Sequence, residues 1–218
     1  MYLVLSGATH RVLDVLGLFK RLFGGRPPTD AVVIVSGLPR SGTSMLMGML
    51  AAGGLELVSD GARTADEDNP KGYYELEQVK QLDKAGDTSW LADARGKGVK
   101  IISFLLQHLP DGYRYKIIFV RRSLPEVLAS QRKMLDRRGE APGDVNDEDM
   151  AQLFAAHLEK VQSQLATRPD CEVLYVEHRE AVQTPAKVAS EINRFLGDRL
   201  DIEAMRQAVD HHLYRNRA

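Results

Sequence analysis

Two stretches of the chain combine glycines, hydroxyls and cations at spacings that suit an anion. In the first, residues 31–50 read AVVIVSGLPRSGTSMLMGML. Gly37, Gly42, Thr43 and Ser44 stand at the spacing of the nucleotide-triphosphate loop G-x-x-x-x-G-K-[ST], with Thr43 in the place of its lysine. That lysine reaches the β and γ phosphates of ATP or GTP, so its absence argues against ordinary triphosphate chemistry, while Arg40 sets a permanent cation at the tip of the loop. In the second stretch, Arg121 and Arg122 follow the run YKIIFV, with side chains expected to face the ligand crevice, and Ser130 comes eight residues after Arg122. Two turns of helix would bring that hydroxyl back to an anion held by the arginine.

Positioning these groups requires strands that end where helices begin. Residues 31–36 are rich in Val and Ile and predict a short buried strand; the turn on Gly37, Pro39 and Gly42 leads into an apolar run, 45–50, that predicts a helix. Such a join lets backbone N–H groups converge at a helix start, where the dipole adds its positive end. Further strands are expected at 55–59, 99–103, 115–120 and 171–176. Helices are expected over 73–84, from the end of the 99–103 strand to about 108, over 150–167, over 185–196 with Gly197 as its stop, and in the tail from 201. Another, over 124–135, has Ser123 as N-cap and Pro125 and Glu126 in its first turn. Residues 60–71 are polar and emerge near the strand ends, where open α/β sheets bind ligands. Residues 136–149 are charged, with glycine and proline, and are expected to form a mobile loop or lid. The alternation gives an α/β fold, a central parallel sheet with helices on both faces.

The whole chain has 218 residues, which fits one domain of ordinary size, divided as an N-terminal amphipathic helix and linker, 1–30, and the domain proper, 31–218. With 29 basic and 30 acidic residues there is no global field to draw it to nucleic acid. The one cysteine, Cys171, excludes an internal disulfide framework or a Cys-based zinc site, fits a reducing, cytoplasmic compartment, and is expected as a small buried hydrophobe. No apolar run reaches the roughly 18 residues that a membrane span needs. Residues 9–23 read as an amphipathic helix that packs on the domain's flank or docks on a membrane surface or a partner. His108, His157 and His178 read as surface or capping residues, and adjacent His211 and His212 lack the i, i+4 spacing of a metal pair.

The loop Pro39-Arg40-Ser41-Gly42-Thr43-Ser44 resembles the 5′-phosphosulfate loop of sulfotransferases that use 3′-phosphoadenosine-5′-phosphosulfate (PAPS). The stretch from Arg122 to Ser130 resembles the 3′-phosphate motif of the same family, an Arg after a strand and a Ser eight places on; here Ser123 replaces Asn or Asp, and Pro125 comes one place late. Leu174 to Glu177, Pro185 and INRFLG at 192–197 are similar to the family's late strand and helix end. The string Asn69-Pro70-Lys71-Gly72-Tyr73-Tyr74-Glu75 is similar to a segment of bacterial sulfotransferase-like proteins.

The resemblance implies a P-loop NTPase-like three-layer fold and transfer of a sulfuryl group from PAPS, without a metal, to a hydroxyl or amine of a carbohydrate, lipid, phenol or peptide. It places Pro39, Arg40, Ser41, Gly42, Thr43 and Ser44 around the 5′-phosphosulfate, and Arg122 and Ser130 around the 3′-phosphate. Arg40 becomes the cation beside the leaving phosphate and Lys100 a second cation, although Ile101 and Ile102 follow it where Asp-Pro is usual. Related enzymes carry a His or Glu base after the second strand, and residues 60–75 contain no His, so a carboxylate is favoured. The candidates are Glu75, behind two tyrosines that would desolvate it, Glu67, at the spacing of a family Glu base, and Asp60, at a strand end. Two other readings stay open: a nucleotide or small-molecule kinase with a degenerate loop, and a non-catalytic PAP-binding adaptor. The sulfotransferase reading requires the Pro39 turn and the Arg122 strand tip to lie close enough to hold one nucleotide.

Overall fold

The computed structural model describes residues 30–61, 72–84, 86–140 and 145–210. Strand β1, Val32–Gly37, is buried along its whole length, as a β-branched run needs when both faces of its sheet are covered. It pairs in parallel with β2, Gly98–Lys100, on one side and with β3, Tyr115–Arg121, on the other; β3 pairs in parallel with β4, Cys171–Glu177. Among the described residues the sheet order is therefore β2-β1-β3-β4. The helices are α1, Thr43–Ala52; α2, Trp90–Asp93; α3, Leu124–Arg138; α4, Asp147–Thr167; α5, His178–Gln183; α6, Pro185–Phe195; and α7, Ile202–Gln207.

Alternation along β1 sorts its side chains between two cores. Val33 and Val35 join Leu46, Met49, Ile192 and Met205 beneath α1, α6 and α7. Val32 and Ile34 join Trp90, Leu106, Val161 and Leu165 on the other face. Each such burial contributes about 1.5–3 kcal/mol against exposure, and together they make three layers. The chain leaves β1 for α1 on one face and leaves β3 through α3 for α4, whose Val161 and Leu165 pack on the other. The loops after these neighbouring strands therefore diverge and open a crevice at their carboxyl ends, the place where such sheets bind ligands.

Several local expectations are corrected. Residues 55–59 form no strand: Leu57 makes a single parallel bridge to Gly98. A Cβ at Gly98 would stand 2.7 Å from Leu57 Cδ2 and 3.0 Å from Leu55 Cδ2, so these side chains fold over the short edge strand instead of extending its pairing. Strand β2 begins one residue earlier than expected and stops at Lys100, and Ser103–His108 is a 3-10 helix. Only Glu77–Lys84 of the expected helix at 73–84 is helical, again 3-10, because Tyr74 takes a positive φ of 50° that no right-handed helix accommodates. Helices also claim both ends of the expected 136–149 lid. Gly139, at φ 65°, caps α3 after Arg138, and Asn146 accepts from the Asp149 N–H at 2.9 Å to start α4 at Asp147. The expected helix at 9–23, Glu67, residues 69–71 and His211-His212 lie outside the described residues. Among the described residues, no helix is long and apolar enough to cross a membrane.

Candidate active site

The anion loop is built on two bare positions. At Gly37, φ 150°, a Cβ would stand 2.6 Å from Ser41 Oγ and 2.7 Å from the Val120 carbonyl oxygen, so the turn closes over β3 only because no side chain intervenes. Gly42, at φ 105°, is the N-cap of α1, which has neither a side-chain cap nor an acidic residue in its first turn. Its leading N–H groups and dipole are thereby left available to an anion. Ser41 is buried and its Oγ has no hydrogen-bond partner, whereas buried hydroxyls are as a rule satisfied; a ligand oxygen fits that position. Thr43 is buried, Ser44 and Arg40 are half-buried and Pro39 is exposed. Arg40 holds φ 68°, left-handed strain of the kind retained at functional turns.

Gly37 lies opposite Val120 in the sheet, so the two arginines ending β3 emerge beside this loop and part company. Arg121 does not face the crevice as expected. Its guanidinium carbon sits 3.8 Å from the Tyr175 ring centroid, and Nη2 donates to Gln162 Oε1 at 3.2 Å. Arg122 turns to the loop: Nη1 donates to the Arg40 carbonyl at 3.0 Å and Nε to Glu126 Oε2 at 2.9 Å. Ser123 accepts from the Glu126 N–H at 3.4 Å, so the late Pro125 falls harmlessly in the first turn of α3. Two turns on, Ser130 Oγ accepts from Arg40 Nε at 3.1 Å. The two anion motifs, about eighty residues apart in sequence, are thus joined side chain to backbone and side chain to side chain.

Two residues that matter here, Glu126 and His178, were not read from the sequence as part of the site. Glu126 and Arg122 have side chains only 9% and 8% exposed, making a buried ion pair that fixes the guanidinium fork; the i, i+4 spacing was its available signal. His178, expected as a surface or capping residue, is 6% exposed. A Cβ on Gly42 would stand 2.4 Å from its Cδ2, so the ring edge lies directly against the loop. Burial, and then the Arg122 guanidinium, push the imidazole down to about 4 against an opposing pull from Glu126. No local pattern announces this contact, because it is made across the fold.

On the other side of β1, Lys100 ends β2 in register with Val35 and is 9% exposed. Its Nζ donates to the Tyr73 carbonyl and sits 3.5 Å from Glu75 Oε1, whose side chain is 28% exposed. Asp60 accepts from the Glu77 N–H at 2.6 Å, and its own N–H donates to the Glu75 carbonyl at 3.1 Å. The structure therefore brings Lys100, Glu75 and Asp60 together, with Asp60 acting as the cap of a 3-10 turn. His157 also differs from expectation: its Nε2 is 2.9 Å from Ser103 Oγ and its ring stacks on Phe104 at 3.9 Å. Burial pushes the half-buried Cys171 thiol up to about 11, which makes it a poor nucleophile. Among the described residues no group of His, Cys, Asp and Glu is placed to hold a metal ion.

No family model matches the chain, and no curated protein matches it. Solved structures do. A sulfotransferase domain from the Synechococcus PCC 7002 olefin synthase superposes with a TM-score of 0.53 at 20% identity, covering 85% of this chain and 79% of that one. A sulfotransferase domain from the curacin biosynthetic pathway gives 0.50 at 16% identity, with the same coverage of 85% and 79%. The chain has the P-loop NTPase-like fold of sulfotransferase domains.

Proposed function

We propose that this chain transfers a sulfuryl group from PAPS to a hydroxyl or amine of an acceptor. The observation that carries the reading is the junction of Arg40, Arg122 and Ser130, which supports two anion cradles at one strand-end crevice, as a nucleotide phosphorylated at both ends demands. The unpartnered Ser41 Oγ and the uncapped start of α1 suit the 5′-phosphosulfate. PAPS brings the sulfuryl group and a phosphate leaving group; the rest of the work falls to the chain. Ser41, Thr43, Ser44 and the N–H groups after Gly42 bind the 5′ end. Arg40 stabilises charge growing on the leaving phosphate, a preorganised electrostatic contribution. Arg122, held by Glu126, grips the 3′-phosphate together with Ser130.

Glu75 is the proposed base for the acceptor's proton, held in place by the buried Lys100, which also offers a second cation beside the crevice; Glu67 is the alternative base. The acceptor is a carbohydrate, lipid, phenol or peptide, and residues 9–23 would supply any contact with a membrane surface or partner. The reading is tested by incubating the purified chain with PAPS labelled with radioactive sulfur and each acceptor class, with and without EDTA. Labelled acceptor is expected, unaffected by the chelator and lost in Arg40→Ala. Label that reaches no acceptor class would contradict transfer.

A further inference from the structure

We infer that the His178 ring is a positioning residue that sets the distance between the two phosphate cradles. The inference rests on the reading that both cradles hold one nucleotide. Glu177 pairs with Arg121 across β4 and β3, so the next residues of the two strands, His178 and Arg122, leave the sheet side by side. From there the ring reaches Gly42, where its edge occupies the space of the missing Cβ. The ring thus lies against the start of α1 in the first cradle, while its own chain position beside Arg122 puts it within electrostatic reach of the Arg122–Glu126 pair of the second. Buried Ala181 and Val182 hold α5 against the core, so the ring is braced from below.

A neutral ring suits this place, because it adds no positive charge beside Arg122. Its position also explains why the N-cap of α1 is bare: a side chain at residue 42 would drive the loop off the ring, and φ 105° would strain it in addition.

The device acts on ligands that touch both cradles. In His178→Ala, the dissociation constant of 3′,5′-bisphosphoadenosine (PAP) is expected to rise roughly tenfold, while those of 5′-AMP and 3′-AMP change less than about threefold, because only the bisphosphate depends on the spacing. His178→Gln, which keeps bulk but not the ring, should fall between wild type and His178→Ala and serves if the alanine variant does not fold. Adding His178→Ala to Gly42→Ala should recover part of the PAP affinity lost in Gly42→Ala alone, since contacting residues are not additive. The inference is overturned if both His178 variants bind PAP as wild type does, if PAP and both monophosphates weaken in parallel, or if the two substitutions add. A wild-type chain that binds monophosphates but not PAP refutes the shared-nucleotide reading itself, and the inference with it.

Discussion

Arg122 donates from two nitrogens to partners on different elements, the Arg40 carbonyl and the Glu126 carboxylate, and lysine can reproduce the charge but not that fork. Arg122→Lys should therefore weaken PAP by about tenfold or more, the cost of a lost charge-assisted bond of about 1.5–3 kcal/mol, as read by calorimetric titration. Arg122→Ala should in addition lower the melting temperature, because it leaves Glu126 buried without its cation. His178 makes a pH prediction. Its folded value lies near 4 and its unfolded value near 6.5, so between these the unfolded chain takes up a proton that the folded chain refuses. Stability is lost as pH falls across that window, by about 3 kcal/mol in total, and the loss levels off below pH 4. Denaturant titrations of wild type against His178→Gln should differ in slope with pH only there; parallel curves would remove the buried imidazole from the explanation.

The join of β1 to α1 depends on backbone that no side chain can share. Gly37→Ala would press a methyl to 2.7 Å from the Val120 carbonyl oxygen, a rigid backbone atom, so the carboxyl ends of β1 and β3 must part. A loss of about 1–3 kcal/mol in stability is expected from the strain alone, together with loss of PAP binding, measured by thermal melting and calorimetry. This element was legible in the sequence because every signal in it is local: the β-branched run, the Gly-Pro-Gly turn and the apolar helix start. The Ser123 cap and the Arg122 to Ser130 spacing were legible for the same reason. Residues 55–59 read as a strand because propensity carries no information on how short the neighbouring edge, β2, would be. The two arginines at 121 and 122 had to point to opposite faces by strand alternation, yet it is the Tyr175 ring on β4, far away in sequence, that receives Arg121. His178 was read as a surface or capping residue because the loop it packs against, at Gly42, lies about 135 residues earlier.

At the level of the whole molecule, the sheet order among the described residues sets the two proposed cradles at the ends of adjacent strands, β1 and β3, while Lys100, with Glu75 beside it, ends β2 on the far side of β1. Donor and acceptor chemistry would then meet over the carboxyl end of β1. A ligand that bridges β1 and β3 should stabilise the fold by mass action, by about 2.7 kcal/mol at a hundredfold excess over its dissociation constant. The most direct measurement is a calorimetric titration of the wild-type chain with PAP and, separately, with ATP in the presence and absence of magnesium. Two cradles sharing one nucleotide predict that PAP binds without metal and more tightly than ATP under either condition. ATP binding that requires magnesium, with no binding of PAP, would contradict the assignment and return the loop to triphosphate chemistry.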